Sequence, residues 1–91
     1  MNDYLLDRRP ELDKKFAKLK KKDNKRFEIV MKKAEEILLN PQRYKPLGWS
    51  LHGLRRVHIN THFVLIFSID EATKTVLLED FDHHDKIYKS R

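Results

Sequence analysis

Apolar positions recur at three- and four-residue intervals through the first half of the chain and at two-residue intervals through the second. The change of period divides the sequence. Met1–Leu6 carries Tyr4, Leu5 and Leu6, which predict an edge or N-terminal strand that breaks before Pro10. Pro10 suits the first turn of a helix, where a missing N–H costs nothing. Leu12, Phe16 and Leu19 then fall at i, i+4 and i+7 on one helical face, and lysines 14, 15, 18, 20, 21 and 22 fill the remainder. Asp23 predicts an N-cap for a second helix, whose Phe27, Val30, Met31, Ala34, Ile37 and Leu38 keep the 3.6 period until Asn40-Pro41 stops it.

From Pro41 to Ser50 the chain carries Pro41, Pro46 and Gly48 and reads as a connecting loop. Beyond it, Leu54–Ile59, Phe63–Asp70 and Thr75–His83 are rich in β-branched and aromatic residues, and "NTH" and "DEATK" separate them as hairpin turns. The predicted order is β-α-α-β-β-β, an α+β fold with an antiparallel sheet packed on a two-helix hairpin. If "NTH" sets Ile59 opposite Phe63, His58 opposes Val64 and Arg56 opposes Ile66. If "DEATK" sets Ile69 opposite Val76, Phe67 meets Leu78 and His62 lies beside His83. Alternation then gives Val57, Ile59, Phe63, Leu65, Phe67, Ile69, Val76 and Leu78 one face, against the helices. It gives Arg56, His58, Ser68, Glu79 and His83 the other, polar and open. A slip of one residue would turn these side chains over.

Ninety-one residues support one domain, residues 1–91. A core of that size leaves room only for a surface or groove site. The formal charge of +6, from 20 Lys+Arg against 14 Asp+Glu, attracts polyanions. With no cysteine, disulfides and thiolate zinc sites are excluded. The longest apolar run, "FVLIF", is too short to span a bilayer, and the N-terminus lacks the layout of a signal peptide, so a cytoplasmic protein is expected.

Of five histidines, four (His58, His62, His83 and His84) converge on one edge of the predicted sheet. A single histidine is most often a hydrated or packing imidazole; four together weaken that reading. His58-x-x-x-His62 has a metal-ligand spacing, but that spacing aligns ligands on a helix, and here it spans a strand and a turn. No metal or other cofactor is assigned. Proton transfer suits the group better, because free imidazole titrates near pH 6.5 and both takes and gives protons there.

With these residues in view, the sequence resembles the RelE/ParE superfamily of toxins, and within it the RelE and YafQ-like mRNA interferases. The likeness covers a short first strand, a basic helical hairpin, "LHG" at Leu51–Gly53, "RRVHINTHFVLIFSID" and the closing "HHDKIY". His58-Ile59 with Phe63 through Phe67, and His84 four residues before Tyr88, match the YafQ-like pattern. The chain departs from the family at His62, where the pattern has an acid. Trp49 stands where YafQ has a histidine, and Val64 where RelE-type members carry an arginine.

The resemblance implies a compact toxin of a type II toxin–antitoxin system. Such a toxin enters the ribosomal A site and cuts messenger RNA by attack of a ribose 2′-hydroxyl on the adjacent phosphate. It implies a RelB-like antitoxin with an acidic extended segment as partner, and no membrane. That reaction asks for a base, an acid and cations. His84 is the leading acid/base, with His58 and His62 as proton-transfer or phosphate partners, Arg56 as cation and Tyr88 as a stacking or hydroxyl-donating group. Arg55, His83, Lys86 and Lys89 complete the substrate-binding set. Plainer readings stand beside these: Tyr88 could pack the C-terminus onto the sheet, Arg55 and Arg56 could be solvated strand residues, and Trp49 fits a hydrophobic plug in its loop better than a base-stacking residue. The lysine-rich helix is either a solvated face or a grip on RNA phosphates. Two further readings, a gyrase-inhibiting ParE-like toxin and a non-catalytic RNA-binding domain, need no acid/base pair.

Overall fold

Pro10 opens the first long element, and the chain's local chemistry sets the rest in turn. The computed structural model describes residues 4–46 and 53–89; the side chains of Tyr88 and Lys89, and the whole of Trp49, Leu51 and His52, lie outside that description. A four-residue strand β1 (Leu5–Arg8) leads into helix α1 (Pro10–Lys22). Glu11 and Asp13 in its first turn and Lys20–Lys22 in its last complement the helix dipole. Asp23 caps helix α2 (Asn24–Leu39), its carboxylate accepting the Arg26 N–H at 3.1 Å. α2 stops before Pro41, and one 3-10 turn follows at Pro41–Arg43. Strands β2 (Leu54–Ile59), β3 (Phe63–Asp70) and β4 (Thr75–His83) come next. A short helix α3 (His84–Lys89), which the periodicity did not predict, ends the order.

The sheet runs β1-β4-β3-β2, with β1 parallel to β4 and the other pairs antiparallel. The predicted β2–β3 register holds throughout: Ile59 faces Phe63, His58 faces Val64 and Arg56 faces Ile66. Residue by residue, the eight positions assigned to the helix side lie in or against the main core with Leu12, Phe16, Val30, Ala34 and Ile37. In the β3–β4 pair, Ile69 faces Val76 and Phe67 faces Leu78 as predicted, but a bulge then leaves Glu79 extra. Beyond it Ile66 faces Asp80 and Phe63, not His62, faces His83.

Two expectations are corrected, the first by that one-residue shift. His83 packs edge-on to Phe63 at 5.5 Å on the helix side, away from the face it was predicted to share with His58. The second face is also not open. Ile87 of α3 closes over Val64 and Ile66 with Leu54 beside them, and the first three are fully buried. The run "FVLIF" needs this, because Val64 and Ile66 alternate away from the helical hairpin and would otherwise meet water.

β1 pairs only with Thr75–Leu78, and the Arg9 N–H makes the last contact, to the Leu78 carbonyl at 3.0 Å. Past that point the Lys15 ammonium of α1 occupies the edge of β4. It donates to Asp80 Oδ1 at 2.9 Å, the Phe81 carbonyl at 3.1 Å and Asp82 Oδ2 at 2.9 Å.

Phe16 joins three elements, with Phe27 of α2 at 6.0 Å and Phe81 of β4 at 6.1 Å. Phe16→Ala is expected to cost about 3–4 kcal/mol, measured as the shift of a urea unfolding midpoint at unchanged slope.

Candidate active site

The β2–β3 turn and the β4–α3 junction meet at one end of the sheet, and the backbone joins them: the His84 N–H donates to the His62 carbonyl at 2.6 Å. This brings together all four histidines expected to converge, but as two separate pairs. On the α3 side the rings of His58 and His84 lie nearly parallel, 5.8 Å apart. On the helix side His62 and His83 stack at 5.7 Å. The bulge at Glu79 makes the division, since it turns His83 under the hairpin while the following residue starts α3 on the far side.

Beside the first pair lies an open groove of about 400 Å³, lined by Arg43, Tyr44, Lys45, Arg56, Val57 and His58. Arg56 and His58 alternate on β2 onto one face, with His84 against His58. The loop after α2 supplies the opposite wall. It is fixed to β2 by the Arg56 N–H donating to the Lys45 carbonyl at 3.2 Å and by a bridge between Pro46 and Arg55. Arg55 braces it further, its guanidinium donating to the carbonyls of Gln42 at 3.1 Å and Tyr44 at 2.6 Å. Both bonds tie the loop that carries Arg43 and Lys45 to β2.

Arg43 and Lys45 were not singled out from the sequence. They belong to a loop whose return along β2 has no periodicity to reveal it. Arg26 was also missed: its guanidinium lies 4.4 Å from the Phe63 ring centre and pairs with Asp23 at 3.0 Å. Lys86 is exposed on α3 and lines a second basic groove with Lys15, Lys18, Lys22, Phe63 and Phe81. Tyr88 and Lys89 lie in α3 after His84. Among the described residues no group of three or more His, Asp or Glu could hold a metal ion, as a zinc site would need.

The charge next to the junction is set by Asp82. Burial raises its carboxyl, but the Lys15 hydrogen bond, the His83 N–H at 2.7 Å and the positive charge of Lys15 and Lys86 outweigh it and leave it below the ordinary aspartate range. For Lys15, burial lowers the ammonium, and the bonds and charges of Asp80 and Asp82 more than reverse this, so its proton is held more tightly than in free lysine.

The family model described as "ParE toxin of type II toxin-antitoxin system, parDE" matches residues 6–88. A protein of Methanosarcina mazei is 60% identical over 85 residues, spanning 93% of this chain and 99% of its own. The Methanocaldococcus jannaschii protein named "Putative toxin RelE4" is 49% identical over 88 residues, 97% of this chain and 94% of its own. Among solved structures, the toxin–antitoxin complex RelBE2 of Mycobacterium tuberculosis superposes with a TM-score of 0.74 at 23% identity. That match covers 89% of this chain and 98% of the matched one.

The Lys15 cluster has a pH signature. Asp82's depressed acidity contributes stability that is complete above the unfolded aspartate value and is lost as pH falls through the folded one. The raised Lys15 contributes stability that persists until pH climbs past the folded lysine value. Lys15→Met is therefore expected to melt lower than the wild type by an amount near 1 kcal/mol, steady from about pH 5 to 9. The gap should close on acidification below about pH 4, as thermal melts across that range would record.

Proposed function

This chain belongs to the ParE toxin family of type II toxin–antitoxin systems, and from that premise we propose that it is a ribosome-dependent endonuclease that cuts messenger RNA without a metal. The observation that carries the reading is the His58–His84 pair beside a cationic groove containing Arg56, Arg43 and Lys45. A chain that acted only by covering a partner's surface would not require two proton-carrying rings next to a groove lined by cations.

The chemistry balances on these groups. One imidazole takes the proton of a ribose 2′-hydroxyl, whose oxygen forms a bond to the adjacent phosphorus while the bond to the 5′-oxygen breaks. The other, protonated, gives its proton to that leaving oxygen, yielding a 2′,3′-cyclic phosphate and a 5′-hydroxyl. Arg56 and the loop cations stabilise charge building on the phosphoryl oxygens. His84 is the leading acid/base, with His58 as its partner. His62 and His83, paired across the sheet's end, contact flanking phosphate with Lys86 and Lys89, and Tyr88 stacks on an unpaired base or donates its hydroxyl.

The partners follow from the same reading: messenger RNA in the ribosomal A site during cutting, and a cognate antitoxin with an acidic extended segment otherwise. The charge of +6 favours both. A site on the ribosome makes the protein cytoplasmic, and no described helix is long and apolar enough to cross a membrane.

One observation favours a second reading. The family model that matches is that of ParE, and a ParE-like inhibitor of DNA gyrase would leave the histidines without a task. Supercoiling by gyrase, measured with and without the purified protein, separates the two.

His84→Ala is expected to lower cleavage of a translated message by about 10²–10⁴-fold, scored by mapping 3′ ends with purified ribosomes. Stability should stay within about 0.5 kcal/mol of the wild type, because the ring is partly exposed. Undiminished cutting by this variant rejects His84 as acid/base. Arg56→Ala is expected to cost about 10²-fold in kcat in the same assay.

A further inference from the structure

We infer that Lys15, on the far side of the sheet from the histidine groove, is a positioning residue that holds the bulged register of β4 and thereby delivers His84 to His58. The inference rests on the reading of His84 as acid/base, and the geometry behind it is independent of that reading.

β4 is nine residues long, but its outer neighbour β1 covers only Thr75–Leu78. The four residues from Asp80 to His83 therefore have a strand partner on one side alone among the described residues, and Glu79 is skipped in the register. This is also where the register changes, with Glu79 as the extra residue. Backbone pairing on one side does not by itself select the bulged alignment, because the unbulged one would continue the register already made by Ile69–Val76 and Phe67–Leu78.

Lys15 supplies what the missing strand does not. An ammonium has three N–H donors, and here each has an acceptor: Asp80 Oδ1, the Phe81 carbonyl and Asp82 Oδ2, at 2.9, 3.1 and 2.9 Å. The three acceptors sit on consecutive residues immediately after the bulge. Asp80 Oδ1 also accepts the Phe81 N–H at 2.8 Å, and Asp82 Oδ1 accepts the His83 N–H at 2.7 Å. The ammonium thus fixes two carboxylates that in turn fix the backbone leading into α3.

The two alignments give different sites. With the bulge, Phe81 packs on Phe16, His83 on Phe63, and His84 reaches His58. Without it, Phe81 would leave the main core for the opposite face, and His83 would turn to the side now held by His84. Lys15 is not among the residues lining the His58 groove, and its effect passes through Asp82 and the junction.

The test compares the wild type, Lys15→Met and Lys15→Arg, using ring cross-peaks by nuclear magnetic resonance and cleavage kinetics on programmed ribosomes. Lys15→Met is expected to lose the Phe63–His83 cross-peaks and to fall in kcat toward the level of His84→Ala, about 10²–10⁴-fold, because the shifted register takes the His84 ring off its face. KM should stay within about twofold, since the groove cations are untouched. Lys15→Arg, which keeps charge and donors, is expected to recover both readouts in large part. Retention of the Phe63–His83 cross-peaks in Lys15→Met overturns the inference whatever the activity, and so does loss of the cross-peaks with wild-type kcat. If Lys15→Met does not fold, Asp82→Asn carries the same two readouts with an isosteric change. Should the wild type itself fail to cut, the endonuclease reading falls, and the cross-peaks still decide the role of Lys15.

Discussion

Four consecutive residues of β3, Val64 through Phe67, are sealed from water, and because neighbouring side chains on a strand point oppositely, the sheet has to be covered twice. The helical hairpin covers Leu65 and Phe67. Among the described residues α3, through Ile87, covers Val64 and Ile66, with Leu54 beside them. The second cover cannot start elsewhere: α3 follows β4 directly, so its first residue emerges at the end of the sheet where β2 turns into β3. His84 is that first residue. A packing requirement on the central strand thus becomes the placement of an imidazole beside His58.

Much of this was legible in the sequence. The helical hairpin, the Asp23 cap, the three long strands and the β2–β3 register follow from period and turn chemistry. So does the gathering of His58, His62, His83 and His84 at one end. The bulge was not read, although a trace of it was present: Val76 and Leu78 are two apart, but the next large apolar residue of β4, Phe81, is three further on. The second face was misjudged for a related reason. Alternation was carried along all three strands, but Val64 and Ile66 were given to neither face, although the unbroken "FVLIF" already demanded burial on both sides. Arg43 and Lys45 could not be placed, because their position depends on backbone bonds between a loop and a strand edge.

The cations divide by what they do. Lys15 has all three donors on carboxylates or a carbonyl, and Arg55 turns one guanidinium nitrogen onto two loop carbonyls. Arg9 is paired with Glu79, whose hydrogen bond and charge hold its proton more firmly than usual. Arg43, Lys45 and Arg56 line the groove. A net charge of +6 therefore says little about where a polyanion would sit until these roles are separated.

The main-chain bond from the His84 N–H to the His62 carbonyl makes the two ring pairs one mechanical unit. Each pair takes one member from the β2–β3 hairpin and one from the β4–α3 junction, and the bond fixes the hairpin's tip to that junction. Lengthening the Asn60–His62 turn would therefore displace both pairs together, so this tip has far less freedom to vary in length than a surface hairpin usually enjoys.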